Sequence, residues 1–337
     1  MASHANILSD AARETLHGGM TSERGLPLAL LRCPRSGQPL RRDGTALVSL
    51  DGVHRYHVSA SGIALFEEIA VTSDAEIQQR HYDRVAPAYL ANLAYPHTEE
   101  YAAYLDRALN DAIGTRKLGT VVELCCGAGE GFGLLRAPVD LGVGVDISAR
   151  MLEVARARYA DGRYVFIQGD ATNLPLATGA FDAAIINGGI HHVNDRRRLF
   201  AEIARVLKPG GALYFREPCD DLILWRVLRA VIYRLSPALD HRTERPLRYD
   251  ETVPLLVEAG FEVRRWRTYG LLGFCLLMNS DVLVVNRLLR FVPGIRAIAR
   301  TLARFDDWTA RFPGLRGKAL QVVGWARKTD GVEAGQG

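Results

Sequence analysis

From Gly119 onward one rhythm repeats along the chain: a short apolar run, a turn, then a stretch with helical periodicity. Candidate strands cover 119–125, 141–146, 163–168, 181–187, 211–217, 261–268 and 319–326, with helical spacing at 148–159 and 195–207. Alternation of this kind predicts an α/β fold with a mostly parallel sheet, because each parallel connection crosses over the sheet and covers one of its faces. Seven candidate strands predict a seven-stranded sheet with helices on both faces. The break Lys208-Pro209-Gly210-Gly211 is expected to stop the second helix just before the fifth strand. Two connections, 218–248 and 270–318, are longer than the alternation needs. They read as helical insertions and as the places where specificity resides.

The chain upstream has a different texture. Residues 1–25 are polar without period and read as a flexible lead-in. Residues 26–70 carry short apolar runs broken by turn residues, the pattern of a small β-rich module. Residues 73–118 have helical character, 119–328 form the main domain, and 329–337 are a tail.

Of 337 residues, 48% are hydrophobic and 24% charged, which excludes a disordered or fibrous chain. The 42 basic and 38 acidic residues leave a net charge of +4, unevenly placed. Residues 282–318 hold eight Arg and Lys against Asp306 and Asp307, so this one segment carries +6. The longest uncharged apolar window, Thr268 to Ser280, is well short of the ~20 residues that span a bilayer. No stretch resembles a secretory leader. The five cysteines are odd in number and lack paired-ligand spacing, the usage of a reducing compartment. A cytoplasmic protein without a transmembrane segment is expected.

The strongest local signal is Val121-Val122-Glu123-Leu124-Cys125-Cys126-Gly127-Ala128-Gly129-Glu130-Gly131, an apolar strand ending in a glycine-rich turn where a ligand can approach the backbone. A dinucleotide fingerprint needs glycines at offsets 0, 2 and 5. Phe132 and Leu134 stand where the third would be, so a ligand without phosphates fits better. The next two candidate strands each end in an acid, Asp146 and Asp170. In an open α/β sheet such acids converge on the crevice beyond the carboxyl ends of the strands. One can accept the hydroxyls of a ribose and the other an adenine amino group.

These residues resemble the class I S-adenosylmethionine-dependent methyltransferases, of Rossmann-like fold. The likeness runs through Gly144-Val145-Asp146-Ile147-Ser148, Gly169-Asp170-Ala171, Phe181-Asp182-Ala183-Ala184-Ile185-Ile186, Ile190-His191-His192-Val193 and Arg205-Val206-Leu207-Lys208-Pro209-Gly210-Gly211. It implies S-adenosyl-L-methionine as cofactor. Glu123, Cys125, Gly127 and Gly129 would line its methionine part, Asp146 the ribose, Ile147 and Met151 the adenine faces, Asp170 and Ala171 the adenine edge, and Asn187 the sulfonium side. Tyr82 and Tyr89 resemble the Tyr-Asp-x-x-Ala-x-x-Tyr lid that such enzymes place over the cofactor.

Displacement of methyl from a sulfonium asks the protein to align the acceptor and, for a hydroxyl, to take a proton. His192 and His191 follow the fourth strand into the crevice, and imidazole titrates near neutral pH, so both are candidate bases. Glu217, ending the fifth strand, is a third candidate; a buried ion pair with an arginine is the competing reading. The segment around Cys33-Pro34-Arg35-Ser36-Gly37 with Tyr56-His57-Val58 resembles a zinc-ribbon-like module. With only Cys33, His54 and His57 at hand, no four-ligand zinc site is expected.

Asn187-Gly188-Gly189-Ile190 differs from the Asn-Pro-Pro-aromatic loop of base-modifying relatives, which argues against a nucleic-acid acceptor. The two insertions interleave apolar residues with arginines, a pattern suited to a lid over a lipid-like small molecule or to peripheral membrane contact through 282–318. The expectation is methyl transfer to a small apolar acceptor at oxygen. An rRNA or tRNA methyltransferase and a cofactor-binding scaffold are the alternatives.

Overall fold

The computed structural model describes residues 25–66, 76–77, 79–80, 83, 91, 93–227, 245–278 and 286–330. Along the chain come strands β1 (Leu40–Asp43), β2 (Ala46–Ser49), β3 (Arg55–Val58) and β4 (Ala64–Leu65), then helix α1 (Pro96–Ile113). There follow β5 (Gly119–Leu124), α2 (Glu130–Leu134), β6 (Val139–Asp146), α3 (Ala149–Arg158), β7 (Tyr164–Gln168), β8 (Phe181–Asn187), α4 (Arg196–Val206) and β9 (Leu207–Pro218). The chain ends with α5 (Tyr249–Glu258), β10 (Phe261–Tyr269), α6 (Leu272–Leu277), α7 (Asn286–Leu289), α8 (Ile295–Thr309) and β11 (Gln321–Lys328).

The central strands are mostly apolar because both of their faces are covered. Val121, Val122, Leu124, Val143, Val145, Ile185 and Ile186 are all buried, and they divide between two cores, one on each side of the sheet. The seven strands from β5 onward stand in the order β7-β6-β5-β8-β9-β11-β10. Pairing is parallel from β7 to β9, whereas β11 runs antiparallel to both β9 and β10. Among these seven strands β11 alone runs against the others, and all the parallel strands end on one edge.

The sheet is wider than the seven expected strands. It has eleven, because β1 to β4 form an antiparallel meander whose last strand pairs in parallel with β7, Ala64 opposite Ile167 and Leu65 opposite Gln168. The reason is an exposed edge: β7 would otherwise present unpaired backbone groups, and β4 satisfies them. Within this part the Cys33 thiol is buried, 3.1 Å from the Tyr56 hydroxyl, and accepts the Ser36 N–H. Among the described residues no three His, Cys, Asp or Glu side chains gather as a metal site would require.

The Lys208–Gly211 break also differs from expectation. Helix α4 ends at Val206, but β9 begins at once with Leu207. Leu207 pairs with Phe181 and Ala212 with Ala183, so the intervening residues form a bulge made feasible by the positive φ of Gly210.

The insertion after β10 lies against α1. The Tyr101 hydroxyl donates to Asp306 Oδ2 at 2.5 Å, and Arg296 and Arg300 bridge to Glu99 and Glu100 at 2.7 and 3.2 Å. Of the earlier insertion, 228–244 lies outside the described residues. Its ends are tied together: Leu247 N–H donates to Pro218 O, and Asp220 N–H to Leu247 O. Among the described residues no helix is long and apolar enough to cross a membrane.

Candidate active site

The site is built where β5, β6, β7, β8 and β9 end. The β5 turn bends sharply at Cys125, the one described non-glycine residue with positive φ (51°), and continues through Gly127 and Gly129, also at positive φ. A Cβ on Gly127 would lie 2.8 Å from Glu130 Oε2 and 3.4 Å from the terminal methyl of Met151. Glycine is therefore favoured there by its left-handed φ, and a side chain would displace the Glu130 carboxylate. Tyr159 braces the turn from outside, its hydroxyl donating to Gly129 O at 2.7 Å.

Asp146, ending β6, locks this turn to the next. Its Oδ2 accepts the Gly127 N–H at 2.8 Å and its Oδ1 the Ser148 N–H at 2.9 Å. Each oxygen keeps one lone pair for a ligand hydroxyl. Burial pushes the Asp146 carboxyl above its usual range, although the backbone donors oppose the shift. Ser148 caps α3 by accepting the Met151 N–H at 3.2 Å, which seats the buried Met151 beneath Gly127. Ile147 is fixed through its carbonyl, which accepts from Gln168 Nε2 at 3.0 Å.

Asp170, just past β7, is nearly buried and accepts the Thr172 N–H and hydroxyl at 2.7 and 2.8 Å, both on Oδ1. Ala171 beside it is also buried. Cys125 stands where these strand ends meet: burial first, then Asp146, Glu217, Asp170 and Glu123, hold its thiol well above the ordinary range. Such surroundings favour the protonated thiol over the thiolate.

Glu123 has a task that sequence reasoning did not assign. Its carboxylate is buried and accepts the Gly131 and Phe132 N–H groups at 2.7 and 2.9 Å, so it anchors the start of α2. Burial, with Glu130 close by, pushes its carboxyl up to about 8, and burial pushes Glu130 to about 7. Glu130 Oε2, beside Gly127, accepts the Ala128 N–H, while its Oε1 is buried with no protein partner.

The loop after β8 holds the candidate bases. Glu217, at the end of β9, is wholly buried. Its Oε1 accepts the Gly189 and Ile190 N–H groups at 2.7 and 2.9 Å, and its Oε2 lies 2.8 Å from His191 Nδ1. A carboxylate only accepts, so Nδ1 is the donor in this contact. His192 packs on His191, ring centres 3.8 Å apart. Arg245, where the first insertion returns, donates its N–H to His191 O at 2.8 Å. Asn187 is half-buried at the end of β8, opposite Arg216 in register. Thus Cys125, Gly127, Gly129, Asp146, Ile147, Met151, Asp170, Ala171, Asn187, His191, His192 and Glu217 share one sheet edge.

Tyr82 and Tyr89 lie outside the described residues. Asp83, next to Tyr82, does not: its carboxylate accepts from the Ser148 hydroxyl, and Arg150 donates to its carbonyl at 3.0 Å. The tyrosine motif contained this residue, and its acid was the overlooked signal.

The donor set suits S-adenosylmethionine. Two strand-end carboxylates with spare lone pairs match ribose hydroxyls and an adenine amino group, and the glycine turn leaves room for a close backbone approach. Strand order and strand-end residues together are those of a Rossmann-like cofactor-binding domain. Residues 122–215 match the family described as Methyltransferase domain, and S-adenosylmethionine is the cofactor that this domain and its donor set fit. The chain is 35% identical over 166 residues to the demethylmenaquinone methyltransferase of Paenarthrobacter aurescens, a match covering 47% of this chain and 62% of that protein. It is 33% identical to an O-methyltransferase of Pyrenophora dematioidea, over 42% of this chain and 54% of that one. The chain thus spans between half and two thirds of the length of these relatives. A Thermotoga maritima structure described as an S-adenosylmethionine-dependent methyltransferase, possible histamine N-methyltransferase, shares the fold. Its TM-score is 0.50 at 21% identity, covering 74% of this chain and 99% of that one.

Proposed function

We propose that this protein transfers a methyl group from S-adenosylmethionine to a small apolar acceptor bearing an acidic hydroxyl, with His191 as the base. The observation that carries this reading is the Glu217–His191 pair. A carboxylate 0% exposed in side-chain terms holds Nδ1 at 2.8 Å, which leaves Nε2 as the ring nitrogen for an acceptor's proton. The cofactor supplies an electrophilic methyl on a sulfonium. The chain's own residues do the remainder. Asp146 and Asp170 hold the ribose and adenine edges, Gly127 and Met151 shape the floor, and His191 Nε2 accepts the acceptor's proton as Glu217 steadies the resulting imidazolium.

Transfer to oxygen is the preferred outcome. A second outcome is favoured by the name of the Paenarthrobacter relative, whose acceptor is a demethylmenaquinone. Removing a proton from a hydroxyarene makes nucleophiles of both its oxygen and its adjacent ring carbon, so the same base serves either. Both long insertions leave the sheet on the edge that carries His191, where they can wall off an apolar acceptor from water.

The test is incubation of the full chain with methyl-labelled S-adenosylmethionine and separate lipid, small-metabolite and RNA fractions. Label is expected in the lipid or metabolite fraction and lost in His191→Ala. Label in RNA alone would replace this reading with the nucleic-acid alternative, and binding without turnover on any fraction would favour a scaffold.

A further inference from the structure

The insertion between β10 and β11 starts and ends on the catalytic edge of the sheet. Tyr269 pairs with Gln321, and Gln321 with Pro218, where β9 ends. Its longest helix, α8, buries one face through Ile295, Ala299, Ala303, Asp306 and Thr309. At 100° per residue these occupy one arc of the helix. Ile298, Phe305 and Trp308, at spacings of seven and three, fall on a neighbouring arc, and all are exposed, Trp308 at 55%. Phe312, just beyond the helix, is exposed too and extends the row: Trp308 meets Phe305 at 5.8 Å and Phe312 at 4.6 Å between ring centres. The apolar surface of α8 is therefore wider than the domain covers.

Exposed cations edge this row. Arg304 lies on the adjoining polar arc, and Arg311, Arg316 and Lys318 follow beyond the helix, all exposed; Asp307 pairs with Arg311 at 2.6 Å and with Arg267 at 3.8 Å. We infer that the strip Ile298–Phe305–Trp308–Phe312, with its rim of Arg304, Arg316 and Lys318, seats the protein on the headgroup layer of an anionic bilayer.

Three features select a bilayer. Half-exposed aromatic rings beside arginines are the composition of an interfacial helix, which lays its apolar face among headgroups while cations meet lipid phosphates. The charge is complementary, since the segment 282–318 carries the chain's whole positive excess. The strip is also narrow: four side chains, about half exposed, offer on the order of 400 Å², against roughly 800 Å² per partner for a stable protein interface. Seating this strip would bring the catalytic edge toward the membrane. The docking stands on the strip itself; its use as an entry route for a lipophilic acceptor rests on the function proposed above.

The test is flotation of the full chain with vesicles of phosphatidylcholine alone or with about 30% phosphatidylglycerol, at about 0.1 and about 0.5 M salt. Retention is expected on the anionic vesicles, weakened by salt. The Phe305→Ser, Trp308→Ser, Phe312→Ser triple variant is expected to lose about tenfold or more. Arg304→Gln, Arg316→Gln and Lys318→Gln, at exposed positions, should each lose about fivefold. S-adenosylmethionine binding, followed by calorimetry, should be unchanged in both sets, which separates this result from failure of the methyltransferase reading. No retention of wild type, equal retention of the variants, or a dimer that the aromatic variant dissolves without any change on vesicles would overturn the inference.

Discussion

Nδ1 of His191 lies 2.8 Å from Oε2 of Glu217, and the other oxygen of that carboxylate holds the backbone N–H groups of Gly189 and Ile190. One buried acid thus shapes the loop and sets the tautomer of the ring that the loop carries. Glu217→Gln places an amide group opposite donors, so the imidazole is expected to turn its proton to Nε2 and lose its basic nitrogen from the crevice. Turnover should fall about 10²-fold or more while cofactor affinity changes little. His191→Ala should match that loss and His192→Ala should not. Steady-state kinetics with titration calorimetry on the three variants separates the roles.

The acid pair beneath the glycine turn makes stability depend on pH. Burial raises the carboxyls of Glu123 and Glu130 from an ordinary 4.5 to about 8 and about 7. A group that binds its proton more tightly when folded contributes its full stabilisation below the unfolded value. That stabilisation is lost as pH rises through the folded value. The thermal midpoint is therefore expected to fall between about pH 5 and pH 8. Glu130→Gln, which removes the acid whose Oε1 has no protein partner, should flatten the decline and stabilise the protein at pH 8 by about 1 kcal/mol or more. Thermal melts across this pH range check it.

The second insertion is clasped to α1 by a buried acid. Asp306, 1% exposed, accepts the Tyr101 hydroxyl at 2.5 Å and the Phe274 N–H at 3.3 Å. Tyr101→Phe leaves the carboxylate buried with one donor fewer and should cost about 1–3 kcal/mol. Asp306→Ala should cost a similar amount, and the double variant less than the sum, because both changes break one bond. Denaturant titration of this cycle measures the coupling.

Arg296 and Arg300 are half-exposed, and their bridges to Glu99 and Glu100 are surface pairs. Replacing Arg296 by Ala is expected to change stability by less than about 1 kcal/mol and to leave cofactor affinity alone. A change in acceptor KM with that variant would mark the insertion as part of the acceptor site. The Arg290 guanidinium lies 5.1 Å over the Tyr95 ring and joins the insertion to the segment before α1, so it is the second position for the same measurement.

Much of this arrangement is legible in the chain before folding is considered. Parallel strands buried on both faces are mostly apolar, so Val121, Val122 and Leu124 and the run Ala183–Ile186 announce themselves. Asp146 and Asp170 are legible as acids that end successive strands behind the glycine turn, whereas their bonds to Gly127, Ser148 and Thr172 are not. What the sequence conceals depends on register. Whether Glu217 faces His191 or an arginine is decided by how β9 aligns on β8, a relation between residues 26 apart in sequence. Glu123 reads equally well as a ligand contact, because the amides it accepts belong to a turn that exists only after folding. The pairing of β4 with β7 joins Ala64 to Ile167, and no local pattern encodes that contact.

The most direct measurement is calorimetric titration of the full chain with S-adenosylmethionine, wild type against Asp146→Ala. Asp146 keeps a lone pair on each oxygen after binding Gly127 and Ser148. Its removal forfeits hydrogen bonds to a charged acceptor worth about 1.5–3 kcal/mol each. Saturable 1:1 binding by wild type and at least about tenfold weaker binding by the variant, with both proteins folded by circular dichroism, is the expected result. No binding by wild type, or the same affinity in Asp146→Ala, would contradict the assignment of this sheet edge as the cofactor site.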